Sequence, residues 1–171
     1  VVEWLARYDV SVAEALKHGW KYSPYYDQLI FIFKDQEGKT FYQARNFRSG
    51  SRSKYFNVGE KEGVLPIFKA HMGIRTVDGR VVITEDVVSA ARIARQNDAM
   101  PCLGSSLPVK KIIALKRLYS SLLVWLDSDK YREAREIADQ AKWLGMSAKA
   151  LYTKLDPKEY SDVEIKKFLE G

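Results

Sequence analysis

Arg80-Val81-Val82-Ile83-Thr84-Glu85-Asp86 and Ser121-Leu122-Leu123-Val124-Trp125-Leu126-Asp127-Ser128-Asp129 are two apolar runs that each stop abruptly at acid. Short apolar runs without polar alternation read as strands buried on both faces, as in a parallel sheet. Ligands of open α/β sheets bind outside the carboxyl ends of the strands. Two such strands side by side would bring Glu85, Asp127 and Asp129 to one edge. Asp127 and Asp129 are one residue apart and share a face of extended chain. Three carboxylates in one cleft repel one another, and a hard divalent cation relieves that repulsion. This trio is the expected working centre, and Asp156 and Glu159 reach the same rim from beyond the last strand. The competing reading is structural: acids often end strands in α/β folds, and Asp129 could cap a helix at Tyr131.

Outward from this stretch, strand and helix patterns alternate. Strands are expected at 81–84, 99–103, 122–126 and 147–153, with helices at 87–97, 108–119, 131–143 and 162–170. Pro108 suits a first helical turn and Gly145 a helix end. The expected fold is α/β, a central, mostly parallel four-stranded sheet flanked by helices over residues 79–171. Residues 1–78 read as a smaller, basic α+β subdomain. Its first 19 residues are helical, with Ser11 and Glu14 spaced as a capping box. An aromatic turn fills 20–27, and 29–33 with 40–47 form a hairpin. Residues 48–57 read as irregular and 64–72 as a short helix.

The net charge of +6 is unevenly spread, with eight basic residues against two acidic ones from Lys39 to Arg75. Arg45, Arg48, Arg52 and Lys54 lie close to Tyr55 and Phe56. Cations that hold phosphates beside rings that stack on bases suit single-stranded nucleic acid. The alternative is a solvated loop whose two rings cover the core. Lys110, Lys111, Lys116 and Arg117 lie on one helix and would extend the basic track; the competing reading is a solvated face for Lys110, Lys111 and Lys116. The single Cys102 excludes an internal disulfide framework and a Cys-rich zinc site, and fits a reducing, cytoplasmic interior. No apolar run approaches the roughly 18 residues of a membrane span. The chain begins at Val1 rather than Met, as an excised fragment would. His18 and His71 lack ligand spacing and read as structural. No Gly-rich Lys-Ser/Thr phosphate loop is present; Gly104-Ser105-Ser106 before the helix at Pro108 is the one loop read as approaching a phosphate.

The acidic pattern resembles the Toprim domain of topoisomerases, primases and some nucleases, with a Glu after the first strand (Ile83-Thr84-Glu85) and Asp-x-Asp after a later one (Leu126-Asp127-Ser128-Asp129). Nearly the whole chain is similar to the RNA polymerase core of bacterial and phage DNA primases, especially the primase half of phage primase-helicases. Leu5 to Ser11 with Gly19-Trp20 resembles the opening helices of that core, and Leu29 to Arg45 its hairpin. Ser53-Lys54-Tyr55-Phe56-Asn57 resembles a Pro-Lys-Tyr-Leu-Asn segment, and Asp156-Pro157-Lys158-Glu159 an Asp-Pro-x-Glu segment. The chain departs from the pattern at Asp86, where Gly is usual, at Ser89, where a further acid is usual, and at Lys130, Tyr131 and Arg132 after the aspartate pair.

The resemblance implies metal-dependent synthesis of RNA primers on a single-stranded DNA template from ribonucleoside triphosphates. Glu85, Asp127 and Asp129 would be catalytic and would bind Mg²⁺ or Mn²⁺, with Asp156 as a supporting ligand. Arg45, Arg48, Arg52 and Lys54 would contact template or nucleotide. A replicative helicase, fused or separate, would be the partner, and the host cytoplasm the location if a phage encodes the chain. A Toprim nuclease and a non-catalytic nucleic-acid-binding module are the rival readings. Neutralising phosphates releases counterions, so single-strand affinity is expected to fall steeply with added salt in a fluorescence-anisotropy titration. Salt-insensitive binding would remove the basic track from the interface.

Overall fold

The computed structural model describes residues 1–70, 79–104 and 106–171. The chain forms two compact units, Val1–Pro66 and Ile67–Gly171. The boundary expected near residue 78 lies outside the described residues, as does His71.

In the first unit, α1 (Val2–Arg7) and α2 (Val12–Lys17) precede a four-stranded antiparallel meander. Ser11 caps α2, its Oγ accepting the Glu14 N–H at 3.1 Å. The strands are β1 (Lys21–Ser23), β2 (Gln28–Lys34), β3 (Thr40–Asn46) and β4 (Tyr55–Val58), hydrogen-bonded in that order. Two of these were not expected: β1 lies within the aromatic turn, and β4 closes the segment read as irregular. Both pair over short lengths, three and four residues, too little for an alternation to stand out. Leu29, Phe31 and Phe41 are buried on one side of the sheet, and Trp20 meets Phe31 edge to face at 4.9 Å between centroids. By register, Ile30, Ile32, Tyr42 and Phe56 point to the other side, where they line an open hollow of about 920 Å³.

In the second unit, β5 (Arg80–Thr84), β6 (Ala99–Pro101), β7 (Ser121–Val124) and β8 (Ser147–Ala150) make a wholly parallel sheet in the order β6-β5-β7-β8. Each crossover is a helix: α3 (Val87–Ile93), α4 (Val109–Lys116) and α5 (Tyr131–Trp143). A short 3-10 turn (Pro157–Glu159) and α6 (Asp162–Glu170) complete the chain. Val81, Val82 and Ile83 are fully buried, so β5 is covered on both faces. Val82, Ala90, Ile93, Leu123, Trp125, Ile165 and Leu169 form one continuous core cluster between the sheet, α3 and α6. Arg92, only 2% exposed, ties α6 to α3 by donating to Tyr160 O at 2.9 Å and Asp162 Oδ1 at 2.8 Å. Gly145 ends α5 at φ +77°, a left-handed conformation that glycine adopts without steric cost.

Several boundaries differ from expectation. None of residues 64–70 is helical. Phe68 instead forms an antiparallel bridge with Ala99, with N–H···O distances of 2.7 and 3.0 Å, so this stretch extends the edge of the sheet beside β6. The α3 helix stops at Ile93 and runs on as tight turns, with Arg95 and Gln96 donating three residues back. The strand expected over 147–153 ends at Ala150, opposite Val124, where its partner β7 runs out. Lys111 is 4% exposed and belongs to the packed side of α4, not to a solvated face.

Trp125 is fully buried and its indole Nε1 donates to Thr153 Oγ1 at 2.7 Å. Trp125→Phe loses that bond and part of the ring volume, and is expected to cost about 1–3 kcal/mol in urea unfolding. Trp143 is 92% exposed, so Trp143→Ala should stay within about 0.5 kcal/mol of the parent.

Candidate active site

Strand β5 hands directly to Glu85 and Asp86, and β7 continues through Trp125, whose N–H donates to Ile83 O at 2.8 Å, to Asp127. Because β5 and β7 are parallel neighbours, both runs release their acids at the same edge. The turn after the last strand brings a fourth acid there. Asp156 Oδ1 accepts from the Ser128 N–H at 2.9 Å and the Ser128 hydroxyl at 3.1 Å, joining the two loops.

The group at the middle of this edge is a lysine. Lys158 Nζ lies 2.8 Å from Asp86 Oδ2, 3.3 Å from Asp127 Oδ2 and 3.4 Å from Asp156 Oδ2. Its side chain is 12% exposed. Burial alone would lower its basicity, but Asp86 and Asp127 hold its pKa far above the ordinary lysine value. Asp86, read in the sequence only as a departure, is an N-cap. Its Oδ1 accepts the Val88 and Ser89 N–H groups at 2.9 and 3.1 Å, and its Oδ2 the Ser89 hydroxyl at 3.0 Å.

The expected trio is distributed unevenly around this ammonium. Asp127 Oδ2 faces Lys158, while Asp127 Oδ1 is buried without a hydrogen-bond partner. Glu85 Oε2 is likewise buried and unpartnered. Burial, followed by the charge of Asp86, pushes the Asp127 carboxyl up to about 7. Burial first, then Asp86, also raises Glu85, against the pull of Lys130 and Lys158. Asp129 is close enough to raise Glu85 further, but its own side chain is 77% exposed and lies 4.0 Å from Lys130 Nζ. Asp129 does not cap α5, whose N-cap is Lys130 with no side-chain bond. Asp156 is penalised by burial but held below the usual carboxylate range by the Ser128 N–H and by Lys158. Glu159 accepts the Asp156 N–H at 2.9 Å and so serves the turn.

Among the described residues, no group of three or more His, Cys, Asp or Glu side chains stands as a ready-made metal shell. The donor chemistry nevertheless fits one hard cation. Buried carboxylate oxygens are normally satisfied, and among the described residues Glu85 Oε2 and Asp127 Oδ1 are the ones that are not. Carboxylate oxygen ligands of this kind suit Mg²⁺ or Mn²⁺.

The basic residues lie in the first unit. Arg45 sits in an aromatic box, its guanidinium carbon 4.4 Å from the Trp4 ring centroid and 5.3 Å from that of Tyr55. Its Nη1 donates to Tyr55 Oη at 3.2 Å. Cation–π contacts of this kind hold the α1 end against β3 and β4. Arg48, Arg52 and Lys54 are exposed. Of the loop read as approaching a phosphate, Ser105 lies outside the described residues, and Gly104 N–H turns back to Glu85 O at 3.4 Å. His18 stacks on Trp20 at 5.4 Å.

No protein-family model matches the chain, and no curated protein does. Solved structures do. A primase from Aquifex aeolicus, comprising zinc-binding and RNA polymerase domains, aligns with a TM-score of 0.79 at 13% identity, over 98% of this chain and 54% of its own. The DnaG catalytic core aligns at 0.64 and 17% identity, over 96% of this chain and 67% of its own. This is the fold of bacterial DNA primase catalytic cores. A DNA primase domain from Pseudomonas aeruginosa gives 0.58 at 19% identity, over 88% of this chain and 54% of its own. The chain thus spans about half the length of the Aquifex and Pseudomonas chains.

Lys158 and Asp86 are the residues that sequence reasoning missed. A signal for the lysine was present: Pro157 fixes a turn between Asp156 and Lys158, and such a turn can send the next side chain back over the strand ends.

The raised Asp127 carboxyl has a defined pH signature. Its native pKa of about 7 lies above the ordinary aspartate value, so the native state binds the extra proton between roughly pH 4 and 7. Stability without divalent ions should therefore fall as pH rises through that window, and level off above it. Asp156 acts with opposite sign, only below that window. Asp127→Asn should flatten the slope and be more stable than the parent at pH 8 by about 1–3 kcal/mol, read by urea denaturation across pH.

Proposed function

We propose that the chain is the catalytic core of a DNA primase, which joins ribonucleotides into short primers on single-stranded DNA. The observation that carries this is the pair of buried, unpartnered oxygens of Glu85 and Asp127 at the carboxyl edge of the parallel sheet, within a fold shared with primase cores. Glu85, Asp127 and Asp129 would hold Mg²⁺ or Mn²⁺ in a Toprim-type arrangement. A cation bound there would stabilise charge on the attacking and leaving oxygens of a phosphoryl transfer. Asp156 supports the site through Ser128 and Lys158. Lys158 offsets the repulsion among Asp86, Asp127 and Asp156, and so keeps Asp127 in place without an ion. Arg48, Arg52 and Lys54 would hold template or nucleotide phosphates, and Arg45 would order the strand that leads to them.

Joining nucleotides in line needs positioning more than a protein nucleophile. The partners would be single-stranded DNA, ribonucleoside triphosphates and a replicative helicase, in the cytoplasm of a bacterial host if the gene is a phage's. Among the described residues, no helix is long and apolar enough to cross a membrane. A non-catalytic nucleic-acid-binding role is the second reading, and Lys158 within the acidic cluster is what favours it.

Labelled ribonucleotides, single-stranded DNA and Mg²⁺ or Mn²⁺ should yield short RNA products. Glu85→Ala and Asp127→Ala should each lower the yield by more than about 100-fold, beyond the loss typical of outer-shell partners. Strand cleavage without nucleotides would indicate a nuclease instead. No product under any condition, with metal-independent binding unchanged in both variants, would indicate the binding module.

A further inference from the structure

We infer that Lys158 is the resident cation of the acidic centre, and that the centre takes one divalent ion, beside Glu85 and Asp127, rather than a pair. This rests on the metal-dependent reading above and deepens it.

The first argument is space. The Lys158 ammonium contacts Asp86, Asp127 and Asp156 at 2.8, 3.3 and 3.4 Å. A magnesium ion holds its carboxylate ligands at about 2.1 Å. An ion among those three aspartates would have to occupy the volume that the ammonium fills, so the two exclude each other.

The second argument is the distribution of lone pairs. Asp86 and Asp156 spend their side-chain contacts inside the protein. Asp86 accepts from two backbone amides, the Ser89 hydroxyl and Lys158. Asp156 accepts from the Ser128 amide and hydroxyl and contacts Lys158. Among the described residues, the buried carboxylate oxygens that accept nothing are Glu85 Oε2 and Asp127 Oδ1. Asp127 therefore divides its carboxylate: Oδ2 contacts the ammonium and Oδ1 has no donor. One hard cation would use these two oxygens, and a second would find no other unspent buried carboxylate.

The third argument is charge. Glu85, Asp86, Asp127, Asp129 and Asp156 face Lys158 and Lys130, an excess of three negative charges when all are ionised. One divalent ion leaves a single negative charge. A pair would make the centre positive while Lys158 remained buried in it, and like charges at such short range are strongly unfavourable.

Counting bound Mn²⁺ on the purified 171-residue chain by electron paramagnetic resonance tests this without an activity assay. The wild-type chain is expected to bind one ion. Lys158→Met keeps similar length but removes the charge, and should raise the count to two. Lys158→Arg keeps the charge and should leave it at one; with the wild-type count, it decides the matter if the Met variant fails to fold by circular dichroism. Two ions on the wild-type chain, or a folded Met variant still at one, would overturn the role of Lys158 and leave the metal-dependent reading standing. No ion on the wild-type chain or either variant would instead remove the metal reading itself, and this inference with it.

Discussion

The ammonium of Lys158 is the contact on which the sheet edge depends. Three segments distant in sequence converge there: the end of β5, the loop after β7 and the turn after β8. Each contributes an aspartate, at 2.8 to 3.4 Å from one nitrogen. Buried carboxylates without a counter-charge would drive these loops apart or force protonation. The lysine itself pays a desolvation penalty, yet Asp86 and Asp127 overcome it and keep it charged. Removing it would leave three acids facing one another at the point where the crossovers start. The pair-wise strength of such contacts is less informative than this topological one, because the same nitrogen sets the relative positions of three loops.

That arrangement is possible because the sheet is parallel. An antiparallel neighbour would have delivered Glu85 and Asp127 to opposite edges. The parallel register Ile83↔Val124 sets the two strand ends level, and Trp125 carries the second run one hydrogen bond further before the acids begin. The strands can be parallel only if helices cover both faces, and α3, α4 and α5 do so with apolar stripes. The Arg92–Asp162 pair and the Trp125 cluster then hold α6 over the same core. Burial of the parallel strands therefore brings the acids to one edge, and the Lys158 contacts fix the loops that carry them.

This explains what was legible in the sequence. The four parallel strands and their crossover helices follow from apolar runs and turn residues, and α5 and α6 begin and end where the pattern says. The same burial pattern supports a shared fold at identities of 13 to 19%. Two short strands, β1 and β4, were not legible, since three or four residues cannot establish a period. The stretch before residue 70 was mistaken for helix because its order comes from Ala99 on the sheet edge, a long-range bridge with no local signature. Within the site, Glu85 and Asp127 were visible as acids ending apolar runs. Their central partner is marked only by the turn that Pro157 fixes, because a lone lysine in a surface-looking Asp-Pro-Lys-Glu segment carries no composition signal of burial. The aromatic surroundings of Arg45 were not legible either, because Trp4 lies far away in sequence and Tyr55 on the neighbouring strand β4.

The acids of the centre divide into two kinds, and the division follows from what each can reach. Asp86 begins a helix, so the unpaired amides of α3 satisfy it; Ser89, standing where a further acid is usual in the resemblance, adds a hydroxyl to it rather than a charge. Asp156 is satisfied by the loop that carries Ser128. Neither has a reason to seek an external ligand. Glu85 follows the last residue of β5 directly and Asp127 lies just beyond the end of β7, and each keeps one buried oxygen without a donor. A protein that only needed a stable edge would lose nothing by placing asparagine, serine or a neighbouring amide there. Keeping two acids unsatisfied, in a centre otherwise so fully bonded, has a cost of stability for which the folded chain alone gives no return.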